Sequence, residues 1–447
     1  MDNAALLTDD STMVAVLQRS LPGCREGAWD IEACRVAQTR RRISRRTEEF
    51  GAPYLGLCYQ LSARDARSGR RDTQWLYGKA YSRGMSESAY LDAVPEHCVM
   101  PRFGEPVMHV RELDLVLWSL PNDPAMDRLP AFLDAGAVRR HLPLQRLYGV
   151  AEEQVRLAPP QIVRHEPEEH CTARFAMRHR GRTDAVFGKS YVGEQWRDAR
   201  DCLDALWRQA CADRRAFLVG RPLGASPQLR AVWQDEVDGR PLVDALTGPA
   251  ADAVIDVLAG ALARLHADGP AAGRHELLGE TLETARKWRK KLIQADPRFT
   301  RMLDALLGRL EHEAREPHCR VPIHGDFHAD QMVWCDGRIA LFDYDNFALG
   351  APARDLADFV SQLLCREDKA GDWPGIAAAL IARYRAHCAG EPTEAELDWH
   401  LRLMLLRKAY SAFVRSGSDW QQRTQRALGL AQAGLTALPR TATGATS

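Results

Sequence analysis

One short segment of the chain, residues 321–359, concentrates side chains that can carry out chemistry. Two β-prone runs lie within it, at 332–335 and 338–342, and Asp336-Gly337 joins them. Asp-Gly between two such runs is a strong signal for a two-residue hairpin turn. The sequence therefore predicts a β-hairpin whose open end lies next to polar residues.

The open end of this hairpin brings an amide and a carboxylate to one point. Counting outward from the turn, Gln331 faces Phe342 and Asp330 faces Asp343, with Asp326 on the loop just before. Oxygen ligands that fall short of a full cage suit Mg²⁺, which also takes phosphate oxygens. Asp326 is then placed to accept a proton from a hydroxyl while Gln331 and Asp343 hold the metal on a nucleotide. These are the parts of a phosphoryl-transfer site.

Neighbouring residues add two candidates and one alternative. We expect His324 to hold the loop through hydrogen bonds, and Gly325 to allow backbone angles that a side chain would resist. Asp345 is a further candidate for contact with metal or substrate. It lies two residues after Asp343, and residues two apart on an extended strand share a face. His324 and His328 also have a spacing seen in zinc sites, but the glycine and the hairpin interrupt the helix that such a spacing needs. We therefore favour magnesium over zinc.

Three motifs in this segment resemble a known family, the aminoglycoside phosphotransferase and choline kinase-like small-molecule kinases. Their catalytic loop is H-G-D followed five residues after the aspartate by an amide, as in His324-Gly325-Asp326 and Gln331. Their metal-binding strand ends in Asp, as at 339–343, and a G-x-P-x-x-D-L-A signature follows at 350–357. Most members carry Asn where this chain has Gln331. Maltose-kinase-like members, which also carry Gln after an H-G-D-x-H loop, look similar here.

The resemblance implies roles for individual residues. Asp326 is the implied catalytic base, with His324 beside it in the catalytic loop. Gln331 and Asp343 are the implied metal ligands, and Asp355 is implied to brace the loop. The implied cofactors are ATP, with GTP as an alternative, and Mg²⁺.

A nucleotide site also follows from the resemblance. Lys189 is the implied strand lysine that holds the α- and β-phosphates, and residues 234–237 are the implied hinge next to adenine, with contacts from Gln234, Glu236 and Val237. No G-x-G-x-x-G loop precedes the lysine, so the turn at 180–182 is left to cover the phosphates. The acidic partner of the lysine stays open among three residues: Glu194, Asp198 and Asp201.

The predicted fold class is α+β. The resemblance, which covers roughly residues 160–435, implies a protein-kinase-like two-lobed fold with a small antiparallel β lobe and a large helical lobe. An N-terminal α+β cap domain is expected to precede the lobes. The expected boundaries are 1–150 for the cap, 151–237 for the small lobe and 238–447 for the large lobe.

The cap resembles that of maltose-kinase-like proteins, or a duplicated small-lobe β unit. The duplication is suggested by residues 77–81, whose pattern of aromatic, Gly and Lys returns at 187–191. Lys79 has no catalytic loop to serve, so we expect its role to be structural.

Local patterns predict the elements that position these residues. The predicted elements are a basic helical region at 1–45, a hairpin at 54–81, strands within 107–120, a helix around 131–140, a second hairpin before residue 191 and a helix over 195–212. After residue 250 the apolar residues follow helical spacing. One buried helix face is predicted from Val254, Ile255, Leu258, Leu262 and Leu265. Residues 440–447 are expected to form a frayed tail.

Composition narrows the class of protein. The 60 Lys and Arg balance the 60 Asp and Glu, so no overall field draws the chain to nucleic acid or a membrane. No uncharged apolar stretch approaches the length of a membrane span, and the N-terminus lacks a signal-peptide pattern. The 11 cysteines are scattered without a C-x-x-C pair, which is typical of reduced thiols. We therefore expect a cytoplasmic protein without a nucleic-acid or membrane partner. The sequence defines neither a protein partner nor an oligomeric state.

The acceptor is expected to be a small molecule with a hydroxyl group. Residues 361–447 carry eleven basic and eight acidic side chains, which disfavours a polycationic aminoglycoside and leaves a saccharide or related metabolite ahead. The alternative is a nucleotide-binding pseudokinase that acts as a regulatory or partner-binding module. Gln331, the absent glycine loop and the lack of an obvious acidic partner for Lys189 favour that alternative. A protein kinase is disfavoured because the H-R-D and D-F-G motifs are not present.

Overall fold

The computed structural model describes residues 4–42, 54–82, 84–93, 98–101, 104–213, 217–271, 273–415, 417 and 419–439. The chain forms two compact units. Unit 1 comprises residues 1–194, 225–233 and 414–418, and unit 2 comprises residues 195–224, 234–413 and 419–447. Antiparallel sheets dominate the first unit and helices dominate the second, so the predicted α+β class is confirmed.

The α-helices of the described residues are α1 (Ala4–Leu7), α2 (Asp10–Ser20), α3 (Pro22–Arg25), α4 (Ser86–Leu91), α5 (Leu129–Phe132), α6 (Ala135–His141), α7 (Leu144–Tyr148), α8 (Gln195–Ala212), α9 (Leu242–Leu246), α10 (Ala251–Asp268), α11 (Leu278–Ala295), α12 (Thr300–Glu313), α13 (Pro352–Cys365), α14 (Trp373–His387), α15 (Glu394–Val414) and α16 (Trp420–Ala433). Among these residues, no helix is both long and apolar enough to cross a membrane.

The strands are β1 (Trp29–Arg42), β2 (Tyr54–Asp65), β3 (Arg71–Tyr81), β4 (Val107–Val110), β5 (Leu115–Ser119), β6 (Arg156–Leu157), β7 (Gln161–Glu166), β8 (His170–His179), β9 (Arg182–Tyr191), β10 (Pro222–Ser226), β11 (Ala231–Asp235), β12 (Arg240–Pro241), β13 (Arg274–His275), β14 (Val321–Ile323), β15 (Met332–Cys335), β16 (Arg338–Leu341) and β17 (Ala348–Gly350).

The first sheet of unit 1 has the strand order β1-β2-β3-β5-β4. Its core joins alternate residues of β2, such as Leu57, Tyr59 and Leu61, to Met13 and Leu17 of α2. Residues two apart on a strand point to the same face, so this alternation supplies one apolar face for the helix to cover. The predicted hairpin at 54–81 and the strands within 107–120 are present, while the helix predicted around 131–140 is split between α5 and α6.

The prediction of a helical region over residues 1–45 is wrong from Trp29 onward. There the chain forms the long strand β1, which pairs antiparallel with β2. Ile31 and Cys34 are both buried although they are three residues apart, a spacing that suggests a helix. A register shift between Ile31 and Ala33 is the cause, because a β-bulge adds one residue and interrupts the two-residue alternation of a strand.

The second sheet has the order β10-β11-β9-β8-β6, with β7 also paired to β8. Arg180 and Gly181 form the turn between β8 and β9 with φ of 46° and 75°. Gly188 lies against the Trp233 ring so closely that an added Cβ atom would sit 2.2 Å from it. The glycine before Lys189 is therefore required by packing.

Unit 2 contains the helices α8 to α16 and two three-stranded sheets, β12-β15-β16 and β13-β17-β14. The hairpin predicted around Asp336-Gly337 is confirmed, with Cys335 opposite Arg338 and Met332 opposite Leu341. The apolar face predicted on the helix after residue 250 is also present, because all five of its residues are buried in α10.

The division of the chain at residues 150 and 237 stays a prediction. Unit 1 holds the predicted cap together with most of the predicted small lobe. Lys79 and Lys189 occupy the second strand of their hairpins, β3 and β9, and the duplication also stays a prediction. Residues 440–447, predicted as a frayed tail, lie outside the described residues.

Candidate active site

The loop between β14 and β15 carries the predicted catalytic residues. Gly325 has a φ of 76°, a left-handed value that glycine adopts without strain. A Cβ atom at this position would lie 2.1 Å from the backbone oxygen of Asn346. Both the backbone angle and the space therefore require glycine, and the loop can pass close to the segment after β16 only with this residue.

Asp355, in the first turn of α13, holds this loop through its backbone. Its fully buried carboxylate accepts hydrogen bonds from the backbone N–H of His324 at 2.7 Å and of Gly325 at 2.9 Å. His266 Nε2 lies 3.2 Å from the same carboxylate, and Tyr384 lies 2.6 Å from His266 Nδ1. Burial would raise the pKa of Asp355, but the hydrogen bond and charge of His266 outweigh it and hold the pKa below its usual value. An ionised carboxylate thus fixes the start of the loop.

His324 is buried and connects the loop to the hairpin. Its Nε2 lies 2.9 Å from the carbonyl oxygen of Phe342, the residue before Asp343. Its ring contacts those of Phe327 and Tyr344. This placement keeps the loop and the end of β16 at a fixed separation, and the side chain is fully buried.

Asp326 is the partly exposed carboxylate of the loop. Arg407 Nη2 lies 2.5 Å from its Oδ1, and His328 Nε2 lies 3.4 Å from its Oδ2. Burial would raise the pKa of Asp326, but the hydrogen bond from His328 and the charge of Arg407 hold it far below its usual value. The group is therefore an anion at any physiological pH, suited to orient a hydroxyl and to take up its proton as that proton becomes acidic.

A buried charge cluster lies next to Asp326 and was not found from the sequence. Asp358 of α13 is fully buried and is contacted by Arg407 at 3.2 Å, Arg354 at 3.3 Å and Lys408 at 3.4 Å. These charges lower the pKa of Asp358 against the opposing effect of burial. Arg407 thus bridges two carboxylates. Its 81-residue separation from Asp326 left no local signal in the sequence.

Gln331 and Asp343 are brought together as the hairpin geometry predicts. Gln331 Nε2 lies 3.0 Å from Asp343 Oδ2, and the backbone N–H of Phe342 donates to the backbone carbonyl oxygen of Gln331. Asp343 has a φ of 62°, a left-handed value that is costly for a residue with a Cβ atom and recurs at functional sites. An amide and a carboxylate side by side are oxygen donors of the type Mg²⁺ takes when phosphates complete its shell. Within the described residues, no group of three or more His, Cys, Asp or Glu side chains is arranged to bind a metal ion.

Two expectations about the hairpin end need correction. Asp345 does not share an extended strand with Asp343, because the left-handed backbone at 343 ends the strand and residues 345–346 form a turn. Asp345 is exposed, and its charge adds to burial in raising the pKa of Cys202 to about 12. Asp330 lies in the 3₁₀ turn Ala329–Gln331, where Gln362 Nε2 donates to it at 2.8 Å, so it does not continue the strand pairing.

The predicted nucleotide residues lie on strands and in a loop. Lys189 is half-buried on β9 opposite Thr172, with its Nζ 5.5 Å from the centre of the Tyr191 ring. Gln234 is on β11, and Glu236 and Val237 lie in the loop that follows. Lys189 belongs to unit 1, while residues 234–237 belong to unit 2 with the catalytic loop. Their roles in nucleotide binding stay predictions, as does the choice of acidic partner for Lys189.

Residues 187–400 match the model of the phosphotransferase enzyme family, APH. The resemblance to this family is confirmed. The matched segment begins at the strand that carries Lys189 and includes the catalytic loop, the hairpin and α13. The family segment carries the protein-kinase-like fold expected from the sequence. The likeness to maltose-kinase-like members in the catalytic loop stays a prediction. No curated protein sequence is significantly similar to the chain.

Solved structures that are similar to the chain include two from the choline kinase group and one aminoglycoside phosphotransferase. A choline kinase from Cryptosporidium parvum Iowa II is 12% identical, with 68% of this chain and 94% of that chain covered and a TM-score of 0.46. A thermostable mutant of the aminoglycoside phosphotransferase APH(4)-Ia, in a ternary complex with ADP and hygromycin B, is 15% identical, with 67% and 98% covered and a TM-score of 0.47. A choline/ethanolamine kinase family protein from Mesorhizobium loti is 14% identical, with 69% and 96% covered and a TM-score of 0.44. Similarity at this level bears on neither substrate nor mechanism.

Proposed function

We propose that this protein transfers the γ-phosphate of ATP to a hydroxyl group of a small molecule. The proposal rests on one observation. The segment that matches the family contains both a carboxylate on a fixed loop, Asp326, and an adjacent amide and carboxylate, Gln331 and Asp343. Asp326 is partly open to solvent on a loop held by Asp355. Gln331 and Asp343 lie at the mouth of the adjoining hairpin, 3.0 Å apart.

In the proposed reaction, the acceptor oxygen attacks the γ-phosphorus of ATP. The bond from that phosphorus to the β–γ bridging oxygen breaks, and ADP leaves with the electron pair. The proton of the hydroxyl passes to Asp326. Positioning and charge neutralisation supply most of the catalysis in such transfers. The Asp326 carboxylate, which Arg407 holds, fits this description because in its ionised form it can orient the acceptor hydroxyl.

Magnesium is proposed as the metal, with Gln331 and Asp343 as its protein ligands. Their oxygens are hard donors, and a site with few protein ligands leaves room for the phosphates. Bound there, the metal neutralises phosphate charge. The amide nitrogen of Gln331 faces Asp343, so the amide oxygen is the atom left for a ligand. Lys189 is proposed to bind the phosphates, and Gln234, Glu236 and Val237 are proposed to border the adenine. GTP is the alternative nucleotide.

We further propose that the acceptor is a saccharide or related metabolite in preference to an aminoglycoside. Arg407 and Lys408 stand next to Asp326 and its buried neighbour Asp358. Here the cations on α15 offset the carboxylates, and this disfavours a polycationic acceptor. A cytoplasmic location is proposed on the cysteine pattern.

The pseudokinase alternative has one specific observation in its favour. Arg407 occupies one oxygen of Asp326 and makes it a weak proton acceptor. A protein that had lost catalysis would keep such an ion pair as a structural element. Nucleotide binding without turnover distinguishes this alternative from the kinase.

The test is Mg²⁺-dependent ADP release from ATP across a panel of sugars, sugar acids, aminoglycosides, choline and homoserine. We expect turnover with at least one acceptor and a loss of about 10²-fold or more in Asp326→Ala. Asp330→Ala, which alters an exposed carboxylate of the same loop, serves as the control and should keep its activity. Binding of ATP by thermal shift, with no turnover of any acceptor, would favour the pseudokinase.

A further inference from the structure

Arg407 presents hydrogen-bond donors next to Asp326 that no described residue accepts. A guanidinium has five N–H donors. Its contacts with Asp326 and with Asp358 both use Nη2. Nε and Nη1 have no hydrogen-bond partner in the described part of the chain, and neither is among its buried unpaired atoms. These two nitrogens are therefore open to solvent on a side chain that is 25% exposed.

The guanidinium is held in place from its buried side. Asp358 is fully inaccessible to solvent and also contacts Lys408 and Arg354. Moving Arg407 away would leave less charge to balance this buried carboxylate, which is costly. The Nη1 group of Arg407 is thus fixed before any ligand arrives, and fixed donors lose little entropy on binding.

A second cation and an aromatic pair lie one turn along α15. Tyr410 is three residues after Arg407, so both side chains lie on the same side of the helix. The Tyr410 ring stacks on Trp288 of α11 with centres 5.9 Å apart, and both residues are half-buried. Lys291 Nζ lies 3.3 Å from the Tyr410 hydroxyl, the one hydrogen-bond partner it has in the described residues. This face therefore combines apolar surface with positive charge.

We propose that the acceptor carries an anionic group, a carboxylate or a phosphate, which binds the free Nη1 group of Arg407 while the acceptor hydroxyl meets Asp326. This inference rests on the proposed function and names its substrate class. The two N–H groups of Nη1 can give charge-assisted hydrogen bonds to such an anion. Arg407 contacts both the anion and Asp326, and Asp326 holds the hydroxyl. Ordinary hydrogen-bond lengths therefore place the anion and the hydroxyl about 4–7 Å apart. A compact hydroxy acid, sugar acid or sugar phosphate meets this distance, with its carbon skeleton against Trp288 and Tyr410.

The test measures binding in the full chain with ADP and Mg²⁺ present, by titration calorimetry with matched pairs of compounds. The pairs are gluconate with sorbitol and glycerate with glycerol, and glycerol 3-phosphate distinguishes phosphate from carboxylate. We expect the better anion to bind about 30-fold more tightly than its neutral twin, as a hydrogen bond between charged groups gives. Arg407→Lys keeps the charge but removes the Nη1 donors and should lower that preference about 10-fold. Lys291→Met should lower the preference for the anion about 3-fold, and Lys290→Met, at the exposed neighbouring position, should leave that preference unchanged.

Two results would overturn the inference. One is that the anions bind no more tightly than their neutral twins. The other is that Arg407→Lys lowers kcat equally for neutral and anionic acceptors and leaves anion binding unchanged, since Arg407 would then act on the transferred phosphoryl group. Failure of the proposed function gives a different pattern, with no turnover of any acceptor. Lys291→Met keeps the test decisive even if the Arg407 variant does not fold, because Lys291 is only half-buried on α11.

Discussion

Replacing Asp355 by Asn removes the charge that fixes the catalytic loop while keeping the shape of the side chain. The carboxylate accepts two backbone N–H groups, from His324 at 2.7 Å and from Gly325 at 2.9 Å. Asn has one acceptor oxygen, so its NH₂ group must face one of these donors. One buried N–H then lacks a partner, and the remaining bond is no longer assisted by charge.

The size of the effect follows from these two losses. An unpaired buried N–H costs about 1–3 kcal/mol. A bond to a neutral acceptor is about half as strong as one to a carboxylate, which adds about 1 kcal/mol. We therefore expect Asp355→Asn to lower the free energy of unfolding by about 3 kcal/mol. The loop that carries Asp326 should also lose its position, and a displacement of about 1 Å lowers the rate by about 10²-fold.

Urea unfolding followed by circular dichroism measures the first effect, and ADP release measures the second. Asp330→Asn is the matched control, because it makes the same change on the same loop at a side chain that is 63% exposed. Its unfolding free energy should change by less than about 0.5 kcal/mol. An Asp355→Asn protein as stable as this control would refute the account of the loop.

Three further predictions concern single side chains. Gly325→Ala should abolish activity and destabilise the protein more than Gly337→Ala. Both glycines have φ near 77°, but of the two only Gly325 has a backbone oxygen 2.1 Å from an added Cβ atom. Equal losses of unfolding free energy in urea would contradict this steric argument. Lys79→Met should lower the free energy of unfolding by about 3 kcal/mol, because it leaves the carboxylate of Glu168 without its buried cation. It should leave ATP binding unchanged, whereas Lys189→Met should weaken ATP binding. The reverse pattern by calorimetry would exchange the roles of the two lysines. Burial lowers the pKa of His400 to about 3. The unfolded chain therefore binds one more proton than the folded chain between about pH 6.5 and 3, and the free energy of unfolding falls as the pH drops through that range. Between pH 7 and 5, His400→Gln should lose about 2 kcal/mol less of this free energy than the native chain, and an identical pH slope would show that His400 is not the titrating group.

The parts of the site that the sequence predicts are those set by short spacings. Asp336-Gly337 fixes the hairpin turn, the turn fixes the register, and the register places Gln331 next to Asp343. Each step depends on residues within about ten positions of one another, where backbone geometry leaves few alternatives. Asp355 was identified through a motif, and its hydrogen bonds to the loop give that motif a physical reason.

Other features depend on tertiary contacts or on local irregularity. Arg407 meets Asp326 only because α15 packs beside the loop, and no spacing rule connects residues 81 positions apart. The strand β1 looks helical because a bulge sets its buried residues three apart. Asp345 was expected beside Asp343 because the left-handed backbone of Asp343 has no sequence signal. Sequence reasoning therefore predicted which residues the hairpin brings together but missed the charge that surrounds Asp326.

A crystal structure of the full chain with Mg²⁺ and a non-hydrolysable ATP analogue tests the central claim most directly. The account predicts that the metal is bound by a carboxylate oxygen of Asp343 and the amide oxygen of Gln331, with the Asp326 carboxylate facing the γ-phosphate. A metal and triphosphate bound elsewhere, with these three side chains untouched, would contradict it.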